Sequence, residues 1–73
     1  MSTGVKLGSR IVALDRPIWL ETVEGRKSLA LAMADAYRAV IRRERMPLEI
    51  RVRKAYQRGC WSLFAVPKKG NRP

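Results

Sequence analysis

One segment of the sequence, residues 26–45, decides most of what this chain can fold into. It holds five alanines, and its apolar residues recur every three or four positions, as in an amphipathic helix. Gly25 interrupts the pattern before it, and Pro47 stops it. We therefore predict one helix over residues 26–45. Its apolar stripe is Leu29, Met33, Ala36, Tyr37, Val40 and Ile41.

The residues before this helix are typical of strands. Residues 10–14 are rich in β-branched side chains and predict a strand, which Asp15-Arg16-Pro17 ends with turn chemistry. Residues 18–23 fit a second strand that pairs back on the first. They also fit the start of the helix, with Pro17 in its first turn. We favour the strand.

The residues after the helix predict a hairpin. Residues 48–57 and 60–66 alternate between apolar and polar side chains, and Arg58-Gly59 between them suits a tight turn. A two-residue turn would place Val52 opposite Ala65, Lys54 opposite Leu63 and Tyr56 opposite Trp61. The face away from the core would then carry Arg51, Arg53 and Phe64.

These elements together predict an α+β fold, in which a small antiparallel sheet of three to four strands packs on one long α-helix. A lone hairpin is marginal in water, so the helix and a third strand must cover it. We predict a flexible N-terminal arm over residues 1–9, a single domain over residues 10–66 and a basic disordered tail over residues 67–73. The predicted core is Ile11, Ala13, Leu29, Met33, Val40, Leu48, Ile50, Val52, Trp61 and Leu63.

Charge is the strongest functional signal in the composition. Sixteen Lys and Arg against six Asp and Glu give the 73 residues a formal net charge of +10. Self-repulsion of this size destabilises a compact state, so we expect the chain to meet a polyanion or an acidic surface. Arginine is the commoner cation, and its planar fork grips phosphate or carboxylate with two parallel bonds.

The sequence argues against catalysis, cofactors and metals. There is no histidine, which removes the usual general base near neutral pH, and Cys60 is the single cysteine. No acidic cluster suits a metal, and no glycine-rich phosphate loop is present. We expect the acids to pair with neighbouring arginines. We also see no secretory signal and no membrane span.

The candidate binding residues fall into two predicted sets. A partly exposed tryptophan such as Trp19 is a typical anchor of protein interfaces. Hairpin arginines interleaved with an aromatic residue, here Phe64, suit phosphates and bases. The predicted partner-binding residues are Lys6, Arg10, Trp19, Arg51, Arg53 and Arg58. The predicted nucleic-acid contacts are Arg42, Arg43, Arg45, Phe64, Lys68 and Lys69.

Over most of its length the chain resembles the small RNA-polymerase-binding proteins of lytic bacteriophages. The resemblance lies in the first ten residues (MSTGVKLGSR), in the helix from Ser28 to Arg45 and in the hairpin with Gly59-Cys60-Trp61. It implies a transcription regulator in the cytoplasm of the bacterial host, and we expect a monomer without enzymatic activity. Such a protein binds host RNA polymerase, inhibits initiation and promotes antitermination by steric means. The resemblance does not identify any individual contact residue in this sequence.

Two other functions compete with this one. A small basic RNA- or DNA-binding protein, ribosome-associated or of the chaperone type, would explain the charge and would contact RNA or DNA directly. An inhibitor that mimics nucleic acid would have to be acidic, so the sign of the charge argues against it. Nascent RNA or DNA is also a candidate second partner of a polymerase-bound protein.

Overall fold

The computed structural model describes residues 4–68. One helix packs against two antiparallel sheets, and the predicted α+β fold is confirmed. The strands number five, one more than the upper prediction. The elements are β1 (Gly4–Leu7), β2 (Arg10–Ala13), β3 (Ile18–Glu24), α1 (Lys27–Glu44), β4 (Leu48–Lys54) and β5 (Cys60–Pro67).

The helix α1 agrees closely with the predicted segment. Arg42 and Arg43 lie in its last turn, where cations complement the negative end of the helix. Its C-terminal end is closed by backbone hydrogen bonds from Arg45 to Arg42 and from Met46 to Ile41. Arg45 takes the left-handed conformation, with φ 55°, which glycine normally adopts at this position.

The predicted flexible arm over residues 1–9 is wrong for the part that the structure describes. Residues 4–7 form β1, which pairs with β2 in register Val5 to Val12. Gly8 makes the turn between them with φ 66°. The predicted pairing of the first two strands is also wrong, because β2 pairs with β1 and β3 pairs with β5 instead.

The second sheet has the order β3-β5-β4, so the C-terminal strand lies in the centre. The predicted hairpin forms, but its register is shifted by two residues: Lys54 lies opposite Trp61, and Val52 lies opposite Leu63. The connection therefore spans residues 55–59 rather than two residues. Because the shift is even, every side chain of the hairpin keeps its predicted face.

The core lies between α1 and the inner face of this sheet, with the β1–β2 hairpin at one side. Leu20, Leu63 and Ala65 are fully buried. Two predicted core residues are wrong: Ile11 is 68% exposed and Leu29 is 52% exposed. Val12, which neighbours Ile11, is buried instead. The helix buries Ala30, Ala34 and Ile41 and half-buries Met33, Tyr37 and Val40.

The C-terminal tail begins later than predicted. Pro67 is the last residue of β5, and the Lys68 amide donates a hydrogen bond to the carbonyl of Pro47. The rest of the predicted tail, including Lys69, lies outside the described residues, as do residues 1–3. No helix in residues 4–68 is long and apolar enough to cross a membrane.

Candidate functional site

A row of three side chains crosses the outer face of the three-stranded sheet, and a fourth side chain, from β2, lies beyond the β3 edge of that sheet. Trp19 on β3 lies opposite Phe64 on β5, and Phe64 lies opposite Arg51 on β4. Leu63 and Ala65, on either side of Phe64, point into the core, so the row faces away from the helix. Beyond Trp19, the guanidinium of Arg10 lies 5.3 Å from the centre of its ring. We call Arg10, Trp19, Phe64 and Arg51 the arginine–aromatic strip.

The two aromatic rings of the strip are accessible. Trp19 is 48% exposed and Phe64 is half-buried. Directly opposed residues on antiparallel strands have Cβ atoms about 5 Å apart, so the two side chains are neighbours on one surface. The indole of Trp19 also donates a hydrogen bond to the hydroxyl of Thr22, at 3.3 Å, which restrains the ring. A register irregularity between Trp19 and Glu21 turns this part of β3.

A polar row runs beside the arginine–aromatic strip. Thr22 lies opposite Ser62, and Ser62 lies opposite Arg53. Two hydroxyl groups and a guanidinium are thus placed one step along the sheet from the rings. An antiparallel sheet commonly leaves one face to solvent, and here that face presents hydrogen-bonding groups beside the aromatic pair.

A second surface is a groove of about 1100 Å³ between α1 and β4, which we call the basic groove. Its floor is apolar, and its rim carries cations from the helix, from β4 and from the end of β5. Glu49 is its single acidic lining residue. The apolar lining residues are Leu31, Ile41, Met46, Pro47, Leu48, Ile50 and Val52, and the basic ones are Lys27, Arg38, Arg42, Arg45, Arg51 and Lys68.

The strand that forms one wall of the basic groove is an edge strand. The backbone amide of Ala55 donates to the carbonyl of Cys60, and the backbone amide of Lys68 donates to the carbonyl of Pro47. Backbone hydrogen bonds alternate along an antiparallel pair, so the odd-numbered residues of β4 direct their N–H and C=O groups toward β5. Leu48, Ile50 and Val52 accordingly direct theirs outward. The Arg38 side chain donates to the carbonyl of Ile50 at 3.1 Å and covers part of this edge.

Most acidic residues form ion pairs with nearby arginines, as expected. These ion pairs are solvent-exposed and contribute little to stability. The remaining lysines and arginines keep the net charge at +10. The hydrogen bond from Arg16 lowers the pKa of Asp15 below its usual value. The pairs are Arg16–Asp15, Arg38–Asp35, Arg43–Glu44 and Arg51–Glu49.

Glu21 has a different partner, the hydroxyl of Tyr37 on α1, which donates a hydrogen bond to its carboxylate. Burial raises the pKa of Tyr37, and the bond to Glu21 raises it further, while Arg10 opposes the change. This contact links the helix to β3. It is structural, because it lies on the core side of the sheet.

The structure redistributes the residues predicted from the sequence. Arg10, Trp19 and Arg51 of the predicted partner-binding set meet in the strip, and Arg53 lies in the adjacent polar row. Phe64, predicted as a nucleic-acid contact, joins the strip as well. Lys6 on β1 and Arg58 in the connection 55–59 line neither surface.

The predicted nucleic-acid contacts at the helix end lie elsewhere. Arg42, Arg45 and Lys68 line the basic groove, where Arg51 joins them. Arg43 lies outside it and pairs with Glu44. The end of α1 therefore lies beside the β4–β5 hairpin, where both line the basic groove.

Sequence reasoning missed Lys27 and Arg38 as groove residues. The signal was available in the helical spacing, because positions 27, 31, 38 and 42 fall on one face of α1 and Arg45 follows directly at its C-terminal cap. That face is distinct from the one bearing Met33 and Tyr37. A search for a second, basic stripe on the helix would have found it.

Within residues 4–68 no group of three or more acidic or cysteine side chains is placed to hold a metal ion. The observed architecture defines the chain as a small α+β domain with one open sheet face and one basic groove. Comparison of the chain with models of known protein families, with curated proteins and with solved structures finds no match.

Proposed function

We propose that the protein binds host bacterial RNA polymerase in the bacterial cytoplasm, inhibits initiation and promotes antitermination by steric binding. The basic groove carries this proposal. Six cations and one carboxylate surround an apolar floor, which suits an acidic protein segment that also bears apolar side chains. The choice of polymerase as the owner of that segment comes from the resemblance in the first ten residues, the helix and the hairpin.

The exposed edge of β4 indicates how such a segment binds. An extended segment laid in the basic groove would run along Leu48, Ile50 and Val52, whose backbone groups point outward, and it would displace Arg38 from the carbonyl of Ile50. Peptides often add a strand to a sheet edge in this way, and backbone hydrogen bonds then supply affinity while neighbouring pockets supply specificity. The cations on α1 would face the acidic side chains of the segment.

Long-range attraction and local contacts have separate consequences here. The rim cations raise the association rate and make it depend on ionic strength, because they act over a distance of about 8–10 Å in physiological salt. The apolar floor and the strand edge govern how long the complex lasts. Inhibition then needs no chemistry, since a bound domain excludes whatever normally occupies that part of the polymerase.

An affinity pull-down from bacterial lysate tests the proposal, with the tagged protein as bait and with nuclease treatment in one arm. We expect polymerase subunits to be retained in both arms, because the partner is a protein. Loss of polymerase after nuclease treatment would contradict the proposal, since it would show that nucleic acid bridges the two. Absence of polymerase from both arms would contradict it as well.

A further inference from the structure

We propose that the arginine–aromatic strip is a binding site for single-stranded RNA. The site lies on the outer sheet face, outside the basic groove apart from Arg51, and its action does not depend on polymerase binding. Four observations carry the proposal: the order of the strip across the sheet, the exposure of its rings, the cations at its ends and the hydroxyl groups beside it.

The order of the strip is the first observation. A cation, two aromatic rings and a second cation follow one another across four strands, as Arg10 on β2, Trp19 on β3, Phe64 on β5 and Arg51 on β4. Unpaired bases stack on exposed aromatic rings, and the phosphates that join them need cations nearby. Two adjacent bases on the rings would place their flanking phosphates toward the two arginines.

The second observation is that both rings have solvent-accessible surface, Trp19 more than Phe64, and that contacts within the sheet restrain both side chains. Trp19 is 48% exposed, and its hydrogen bond to Thr22 fixes the indole, so little side-chain freedom is lost when a base stacks on it. Phe64 is anchored by the central strand, with core residues on both sides of it in sequence. The surface is thus ordered before a ligand binds.

The third observation concerns the cations. The ion pair of Arg51 with Glu49, at 3.1 Å, is exposed and weak, so a phosphate can compete with it. Arg53 stands one row away from Arg51 on the same strand and face. Arg10 lies over the Trp19 ring at the β3 edge and also interacts with Tyr37 on α1, and it is the third guanidinium group within reach of a backbone that crosses this face. If the protein neutralises three phosphates of a single-stranded RNA, the plot of log K against log salt concentration should have a slope of about −2.

The polar row favours RNA over DNA. The hydroxyl groups of Thr22 and Ser62 lie opposite each other, one step from the aromatic pair. Hydroxyl groups at this distance from a stacked base can bond to the ribose 2′-OH, which is the group that distinguishes RNA from DNA. A double helix would not use the rings, because its bases are already stacked.

The test measures anisotropy of a labelled twelve-residue oligo(U) at low salt with purified protein and no polymerase. We expect Trp19→Ala and Phe64→Ala each to weaken binding about tenfold, because each removes one stacking surface. Tyr56→Ala is the matched control, since it deletes a fully exposed aromatic ring in the connection 55–59, away from the strip. Trp19→Phe should recover most of the affinity lost in Trp19→Ala.

Three outcomes would overturn the proposal. The first is no binding of oligo(U) by the wild-type protein at low salt. The second is equal loss in Tyr56→Ala and in the two strip variants. The third is equal affinity for oligo(U) and for oligo(dU) of the same length, which would contradict the choice of RNA. Because polymerase is absent throughout, none of these outcomes bears on the proposed function.

A measurement on the wild-type protein keeps the test independent of how the variants fold. Backbone amide resonances are followed as unlabelled oligo(U) is added. We expect the largest shifts at Trp19, Phe64 and Arg53. Shifts that centre on the basic groove, at Arg42 and Lys68, with none on the strip would overturn the proposal.

Discussion

The hydroxyl of Tyr37 on α1 donates a hydrogen bond to the carboxylate of Glu21 on β3. This is the one side-chain hydrogen bond between the helix and β3 described in residues 4–68, and it joins the elements through a titratable pair. Burial raises the pKa of Tyr37, and the bond to Glu21 adds to the effect. The contact therefore makes stability depend on pH at the alkaline end.

Stability should fall as the pH rises above about 10. The unfolded chain loses the phenolic proton near its ordinary pKa of 10.0, whereas folded Tyr37 keeps its proton to a higher pH. The stabilisation is complete below the unfolded pKa and is lost as the pH rises through the folded one. Urea unfolding between pH 8 and pH 11, followed by circular dichroism, measures this loss.

Two variants separate the contribution of Tyr37 to the pH dependence of stability from that of other groups that titrate at alkaline pH. Tyr37→Phe should flatten the pH dependence and cost about 1 kcal/mol near neutrality, through the lost hydrogen bond. Tyr56→Phe is the control, because Tyr56 is fully exposed. If both variants retain the wild-type pH profile, Tyr37 is not the group responsible.

Leu63 and Leu29 should respond very differently to truncation. Leu63 is fully buried in the central strand, so Leu63→Ala should lower the free energy of unfolding by about 2–5 kcal/mol. Leu29 is 52% exposed on α1, and Leu29→Ala should change it by less than about 0.5 kcal/mol. Chemical denaturation of both proteins checks the pair. Similar losses would mean that the helix buries a different face.

Arg45→Gly should stabilise the protein by about 1 kcal/mol, because Arg45 holds a left-handed conformation that a Cβ atom disfavours. Arg45→Ala removes the same charge but keeps the Cβ atom, so it isolates the backbone effect. We expect the midpoint of thermal unfolding to be higher in the glycine variant than in the alanine variant. A lower midpoint would show that the end of α1 is not strained.

The helix and the faces of the β4–β5 hairpin were predictable, because both depend on local periodicity. The twenty residues 26–45 carry their own helical signal, and alternation fixes which side of a strand is buried. That is why the register error of two residues, between Lys54 and its partner, left Arg51 and Phe64 on the predicted face. A longer connection than expected caused the error.

The N-terminal hairpin was not predictable in the same way. Gly4 and Lys6 give β1 little strand character, and the strand is stabilised by its pairing with β2 and by the burial of Leu7 in the core. The predicted orientation of β2 was also wrong, because a strand of four residues does not show which of Ile11 and Val12 faces the core. Both errors concern contacts decided by tertiary packing rather than by the local sequence.

The two candidate binding surfaces could be recognised only from the fold. The strip combines residues from the β1–β2 hairpin and from three strands of the second sheet, and their order depends on β5 being central. Arg10 and Phe64 are far apart in sequence, and no spacing rule relates them. The basic groove likewise joins the helix end to Lys68 across the β4 edge.

The affinity of purified bacterial RNA polymerase for two variants of equal charge measures directly whether polymerase binds at the basic groove. One variant is Arg42→Glu with Lys68→Glu, both in the basic groove. The other is Arg16→Glu with Lys54→Glu, both outside it. We expect about a tenfold loss of affinity for the groove variant, mostly in association rate, and less than about a twofold loss for the other. Equal losses, or wild-type affinity in the groove variant, would contradict it.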